Sequence, residues 1–299
     1  MSTKIEPVIK WSGSKGKVAS SIATLFPQKI SGRYFEPFVG GGALLPYKGL
    51  ATIGLAGDII PELIGIWNYI KSSPGVVASE YEVRWSSLQE NGYLEYYKIR
   101  DSFNNNRDPL DLLFLTRTCV NGLVRFNKKG DFNNSLHHTR PGINPSEFRK
   151  ICYQWSTYIQ KVEFVVDDYR NTLHSTMNGD VVFLDPPYGG TKGRYQPTNF
   201  DLSAFFNELD RLNSIGAKWI LTFDGIAGSR EYNTQVPRDL YQTFLPLPTG
   251  NSPFTKLMNA GIDAVVESVY LNFQPVPESI RKFAENTRQD SSIFTNLRM

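Results

Sequence analysis

The residues best equipped for chemistry in this 299-residue chain form one tetrapeptide, Asp185-Pro186-Pro187-Tyr188. It follows the apolar run Val181-Val182-Phe183-Leu184. A buried strand therefore delivers a carboxylate, two prolines and an aromatic ring to its C-terminal end. That set suits work on a planar amino group. The carboxylate accepts an N–H, the ring stacks on a flat base, and the prolines stiffen the turn between them. By itself the tetrapeptide fits a plain strand-to-turn junction equally well.

Three other segments carry usable side chains. Glu36-Pro37-Phe38-Val39-Gly40-Gly41-Gly42 ends a short apolar stretch. It lacks the full G-x-G-x-x-G spacing, which argues against a pyrophosphate contact and against an NAD-dependent oxidoreductase. A carboxylate at Glu36 suits the ammonium or sulfonium end of a zwitterionic cofactor. Lys10-Trp11-Ser12-Gly13-Ser14-Lys15 offers a flat ring and two cations. Arg117 to Asn133 interleaves Asn121, Arg125, Asn127, Lys128, Lys129 and Asn133 with Gly122 and Gly130. Asn and Arg read adenine and guanine edges, Lys suits phosphates, and the glycines permit a short hairpin.

The elements that must position these residues read as a βαβ unit. Residues 33–39 form a strand, the glycines a turn, Ala43-Leu44-Leu45 the start of a helix, and residues 52–57 a second strand ending at Asp58. That acid stands 16 residues after Gly42, near the spacing of a ribose-hydroxyl contact. Pro61 opens a helix to about Lys71. Later strands are expected at 162–166, 181–184, 218–223 and 264–273. A helix capped by Asp201 is expected over 203–212. This alternation predicts a mostly parallel sheet covered on both faces. Residues 72–160 break the rhythm and read as an inserted, mainly helical domain. Residues 1–71 and 161–275 then form the catalytic domain and 276–299 a polar tail. Residues 189–200 read as a loop bordering the site, and Phe223-Asp224-Gly225 ends a strand at the same sheet edge.

Composition narrows the classes. With 40% hydrophobic residues, the chain can bury one large α/β core with an insertion. No apolar run is long enough to cross a bilayer and no secretory signal is present, so a cytoplasmic location is expected. Two cysteines and three histidines lack metal-ligand spacing, and no metal is expected. Net charge is only +3, yet between Leu115 and Lys150 seven Lys/Arg face two Asp/Glu, the footprint of a polyanion partner.

In this order the pieces resemble the Dam-like, D12-class DNA adenine-N6 methyltransferases. The family's K-W-x-G-x-K is matched at Lys10–Lys15, its E-P-F-x-G-x-G at Glu36–Gly42, and its acid after the second strand at Asp58. Its R-x-x-x-N-G-x-x-R-[FY]-N-x-x-G-x-F-N is matched from Arg117 to Asn133, and its D-P-P-Y at Asp185–Tyr188. The resemblance implies a Rossmann-like fold of the S-adenosylmethionine-dependent methyltransferase type and methylation of a flipped adenine in double-stranded DNA. It implies catalysis by Asp185, Pro186, Pro187 and Tyr188. It implies S-adenosyl-L-methionine contacts from Trp11, Lys15, Glu36, Phe38, Gly40, Gly42, Asp58 and Asp185. DNA contacts are implied for Lys10, Asn121, Leu123, Arg125, Asn127, Lys128, Lys129 and Asn133, with Arg117 suited to phosphate or local structure. A monomer of bacterial, archaeal or phage origin is expected, with a cognate restriction endonuclease as a partner to consider. The family continues after this stretch with an apolar Val-Pro-Phe type segment. This chain has Asn134-Ser135-Leu136-His137-His138 instead, so its target sequence does not follow from the resemblance.

Overall fold

Val181, Val182, Phe183 and Leu184 are all buried, because the strand they form is covered on both faces and hydrogen-bonded along both edges. A computed structural model describes residues 5–187, 200–227, 230–231, 236–251 and 264–295. Its strands are β1 (Tyr34–Glu36), β2 (Gly54–Asp58), β3 (Val162–Val166), β4 (Val181–Leu184), β5 (Lys218–Ala227), β6 (Arg230–Glu231), β7 (Thr243–Asn251) and β8 (Ala264–Leu271). They form one sheet in the order β3-β2-β1-β4-β5-β8-β7, with β6 paired to the end of β5. β1 to β5 run parallel, while β8 lies antiparallel to both β5 and β7. Chain order reverses between β1 and β4. Open α/β sheets bind their ligands at the carboxyl ends of the strands flanking such a reversal.

The two faces divide by strand alternation. Tyr34, Val181, Phe183 and Ile220 enter a core with the helices α2 (Pro61–Ser72), α5 (Pro109–Thr118) and α6 (Pro145–Ile159). Phe35, Val182, Leu184, Trp219 and Leu221 face the other way, toward α7 (Tyr169–Leu173) and α8 (Leu202–Ser214). Prolines at first turns and Asx caps set the helix starts. Asp108, Asn144, Asp168 and Asp201 each accept a backbone N–H at an N-terminus.

Residues 72–160 build α3 (Pro74–Asn91), α4 (Tyr93–Asn106), α5, a hairpin and α6. The first core runs without interruption from the sheet into these helices: Trp67 of α2 stacks on Phe164 of β3 and tilts against Trp155 of α6. Residues just before Lys10 are held by the same helices. Trp155 Nε1 donates to the Glu6 carbonyl at 2.8 Å, and Arg117 Nη1 donates to the carbonyls of Pro7 at 2.7 Å and Val8 at 2.9 Å.

One expectation needs correction, and one segment left open is settled. No α-helix follows the glycines; one 3-10 turn, Leu45–Tyr47, stands there. Pro46 cannot donate to the Gly42 carbonyl and would clash with it in a continuing helix. Gly49, at φ +88°, then turns the chain toward β2. The polar tail after Pro275 begins a helix, α9 (Pro277–Thr295), packed against the short α1 (Ala19–Ala23) and β7. Among the described residues no helix is long and apolar enough to cross a membrane.

Candidate active site

Asp185 is the first residue past β4, at the sheet reversal. Its Oδ1 accepts the Thr222 hydroxyl of neighbouring β5 at 2.8 Å and lies 2.9 Å from the Lys15 ammonium. Lys15 opens a short 3-10 turn and is 5% exposed. Its ammonium also lies 3.2 Å from Oε2 of Glu267, which arrives on β8. Glu267 is absent from the sequence expectations, although a carboxylate inside the apolar strand Val265-Val266-Glu267-Ser268-Val269 was a visible signal. Pro186 is buried and Pro187 exposed, while Tyr188 and residues 189–199 lie outside the described residues.

The glycine turn closes the other side of the reversal. Gly40 and Gly42 adopt φ +43° and +60°. A Cβ on Gly40 would stand 3.0 Å from Trp11 Cδ1, and one on Gly42 2.7 Å from Trp67 Cζ2. Trp67 Nε1 donates to the Gly40 carbonyl at 3.0 Å, so the turn is gripped between two tryptophans. Asp58, at the end of β2, accepts the N–H of Gly40 and of Ile60, each at 3.2 Å. Burial lifts its carboxyl to about 6 against these bonds. Beside it Ile59 and Val166 leave about half their surface exposed at the carboxyl edge of β2 and β3. They are an apolar seat that the sequence expectations omit.

Glu36 is buried at the end of β1, and the Tyr34 hydroxyl donates to its Oε2 at 2.8 Å. Burial raises this carboxyl to about 8; the Tyr34 bond opposes the rise and the Asp185 charge adds to it. Phe38 turns its ring onto Tyr169, with Phe200 and Phe205 at its edge.

Within the Arg117–Asn133 segment, Arg117 and Thr118 end α5, Val120–Gly122 make a 3-10 turn, and residues 125–133 form the expected hairpin. Phe126 bridges Phe132, and Gly130 supplies the left-handed turn residue at φ +84°. Lys128 and Lys129 stand exposed at its tip, and exposed Arg125 donates through Nε to Asn133 Oδ1 at 3.0 Å. Asn127 is spent within the turn: its Oδ1 accepts the N–H of Lys129 and Asp131, and its amide donates to Asp131. Its side chain therefore acts as an Asx turn. Arg117 is 3% exposed, bonded to the Pro7 and Val8 carbonyls with its guanidinium 4.8 Å from the Phe148 ring centre. These contacts give it the local structural role, one of the two expected for it.

The structure brings the N-terminal loop against this hairpin. Exposed Lys10 lies over Gly122, where an added Cβ would meet Lys10 Cβ at 3.2 Å. Asn121 stands exposed beside it at φ +57°. Asn134 Nδ2 donates to the carbonyls of Val120 and Leu123, clamping the loop that presents Asn121 and half-buried Leu123.

Residues 11–247 match the D12 class N6 adenine-specific DNA methyltransferases. The chain belongs to this family. The D12-class chain is 30% identical over 271 residues to the type II methyltransferase M.MjaIII of Methanocaldococcus jannaschii, covering 81% of itself and 89% of that protein. It is 30% identical to the retron Ec67 DNA adenine methylase of Escherichia coli, with 64% and 67% covered. It is also 30% identical to the DNA adenine methylase of Haemophilus influenzae, with 66% and 68% covered. The D12-class assignment makes the chain an enzyme that methylates N6 of adenine in DNA and so needs a methyl donor.

Proposed function

We propose that the donor is S-adenosyl-L-methionine and that the acceptor is an adenine flipped out of double-stranded DNA. The observation that carries this reading is the Lys15–Asp185 pair at the sheet reversal, opposite a glycine turn too tight for any side chain. Bound there, S-adenosylmethionine supplies a sulfonium-activated methyl group and departs as a neutral thioether. Asp58 suits its ribose hydroxyls, Ile59 and Val166 its adenine, and Trp11, Lys15 and Glu36 its charged amino-acid end. Phe38 backs the turn from behind.

N6 of adenine is a poor nucleophile, since its lone pair is delocalised into the ring. Extruding the base costs a few kcal/mol. Stacking on Tyr188 offsets about 1–3 kcal/mol of that. The Asp185 carboxylate accepts one N6–H and the Pro186 carbonyl the other, which favours a pyramidal nitrogen aimed at the methyl carbon. Pro187 fixes the turn. Alignment, and negative charge beside a nitrogen turning cationic, then supply most of the acceleration.

Residues 1–71 and 161–275 carry this chemistry, 72–160 recognise the target, and 276–299 are the C-terminal tail. Lys10, Asn121, Leu123 and Arg125 face bases, while Lys128, Lys129 and Asn133 serve the backbone. The enzyme acts as a monomer, and the type II name of M.MjaIII makes a cognate endonuclease a partner to seek. Expression in a methylation-free host, followed by single-molecule mapping of modified adenines, tests the reading. Modified adenines in one short sequence are expected, and unmodified DNA rejects it.

A further inference from the structure

Asp185 faces a conflict. The carboxylate that must accept an N6–H is already paired with an ammonium at 2.9 Å, and the same oxygen accepts the Thr222 hydroxyl. A carboxylate oxygen already paired with a cation is a weaker acceptor and stabilises a second positive charge less well. Glu267 addresses that conflict from the far side of Lys15. Its Oε2 is buried and lies 3.2 Å from the ammonium, yet among the described residues no donor is aligned on that atom as a hydrogen bond. Its acceptor capacity is therefore unspent and directed at Lys15. The backbone fixes this placement. β8 is the antiparallel strand inserted between β5 and β7, and Glu267 sits one residue from Ser268, the partner of Phe223 on β5, just past Thr222.

We propose that Glu267 is a positioning residue that draws the Lys15 ammonium away from Asp185 when adenine enters, leaving the Asp185 carboxylate to the N6–H. The inference rests on the methyl-transfer reading above. As N6 bonds to the methyl carbon, the carbon–sulfur electron pair passes to sulfur. N6 carries the positive charge until its proton leaves to water. During that interval two cations, Lys15 and N6, compete for one carboxylate. Glu267 supplies the second carboxylate that lets both be paired.

The test compares wild type with Glu267→Gln and Glu267→Asp in single-turnover methylation of plasmid DNA from a methylation-free host. Dissociation constants for S-adenosylmethionine are measured by calorimetry and those for DNA by fluorescence anisotropy. Glu267→Gln should lower the single-turnover rate constant by roughly 10- to 100-fold, in line with a misplaced reacting group. Both dissociation constants should stay within about threefold of wild type. Glu267→Asp, which keeps the charge on a shorter arm, should recover most of the rate. An unchanged rate in Glu267→Gln overturns the proposal. So does a loss of S-adenosylmethionine affinity that parallels the rate loss, which would make Glu267 a cofactor ligand. So does equal damage in Glu267→Asp with a lowered melting temperature in both variants, which would make it part of the fold. A wild-type enzyme that methylates no adenine would fail the parent reading instead, and is seen before any variant is made.

Discussion

Ser12 and Val124, 112 residues apart in the chain, share a two-way contact: Ser12 Oγ accepts the Val124 N–H at 2.8 Å and lies 3.5 Å from its carbonyl oxygen. Ser12 sits between Trp11 and Lys15, and Val124 between Leu123 and Arg125. One hydroxyl thus joins the loop beside the glycine turn to the loop proposed to meet DNA. Ser12→Ala leaves the buried Val124 N–H unpaired, at a cost of about 1–3 kcal/mol. Discrimination between the target and single-base variants should fall, with S-adenosylmethionine affinity kept. Ser12→Thr should restore it. The kcat/KM ratio for target over variant DNA is the measurement, and an unchanged ratio with weakened cofactor binding would confine Ser12 to the cofactor side.

Asp185→Ala should abolish methylation while leaving DNA affinity within a few-fold of wild type, because its partners Lys15 and Thr222 belong to the catalytic side of the molecule. Filter-binding and tritium-transfer assays on the same preparation separate the two effects. Residual turnover would remove the carboxylate from the chemistry.

Arg117 and the hairpin lysines should behave oppositely. Arg117→Ala strips a buried cation from two carbonyls and an aromatic ring, and should destabilise the fold by about 2–4 kcal/mol in urea unfolding. Lys128→Ala and Lys129→Ala, at exposed positions, should leave stability unchanged. Each should reduce the salt slope of DNA binding by about one. A reduced slope in Arg117→Lys with normal stability would return Arg117 to the phosphates.

Glu36 should make stability depend on pH. Its carboxyl is held near 8 in the fold against an ordinary 4.5. Between those values the unfolded chain has released a proton that the folded chain keeps, so stability declines as the pH rises through the window. Glu36→Gln removes that penalty while still offering Tyr34 an acceptor. Its gain in melting temperature over wild type should therefore grow from about pH 5 to about pH 8. A gain independent of pH would show that the carboxyl is ionised in place.

What the sequence made legible were local properties. The unbroken apolar run at 181–184 predicts a strand buried on both faces, and Asp201 predicts the start of α8, where it accepts the Ala204 N–H. Gly122 and Gly130 announce turns because a positive φ leaves few alternatives. Other features were not legible. For Arg117 the sequence left phosphate and local structure open, and only its partners show that it holds the N-terminal segment; the turn made by the Asn127 side chain likewise shows only in its partners. Glu267 and the Ser12–Val124 link depend on pairings that no periodicity encodes: an antiparallel strand slipped beside β5, and a hairpin folded back onto an early loop. The helix expected after Gly42 failed for a local reason, Pro46, that the sequence did display.

The anchoring of residues 6–8 by Arg117 and Trp155 has a consequence for biogenesis. Glu6 leaves the ribosome 149 positions ahead of Trp155, on the order of ten seconds at ordinary elongation rates. Until then the Lys10–Lys15 loop, which already has Gly40, Gly122 and Val124 to pack on, lacks the Trp155 anchor just ahead of it, so a nascent chain stalled before α6 should remain more open to protease near its start. Asp185 also follows residues 72–160 in the chain, so no partly made protein carries the proposed catalytic carboxylate without the segment proposed to choose its sites.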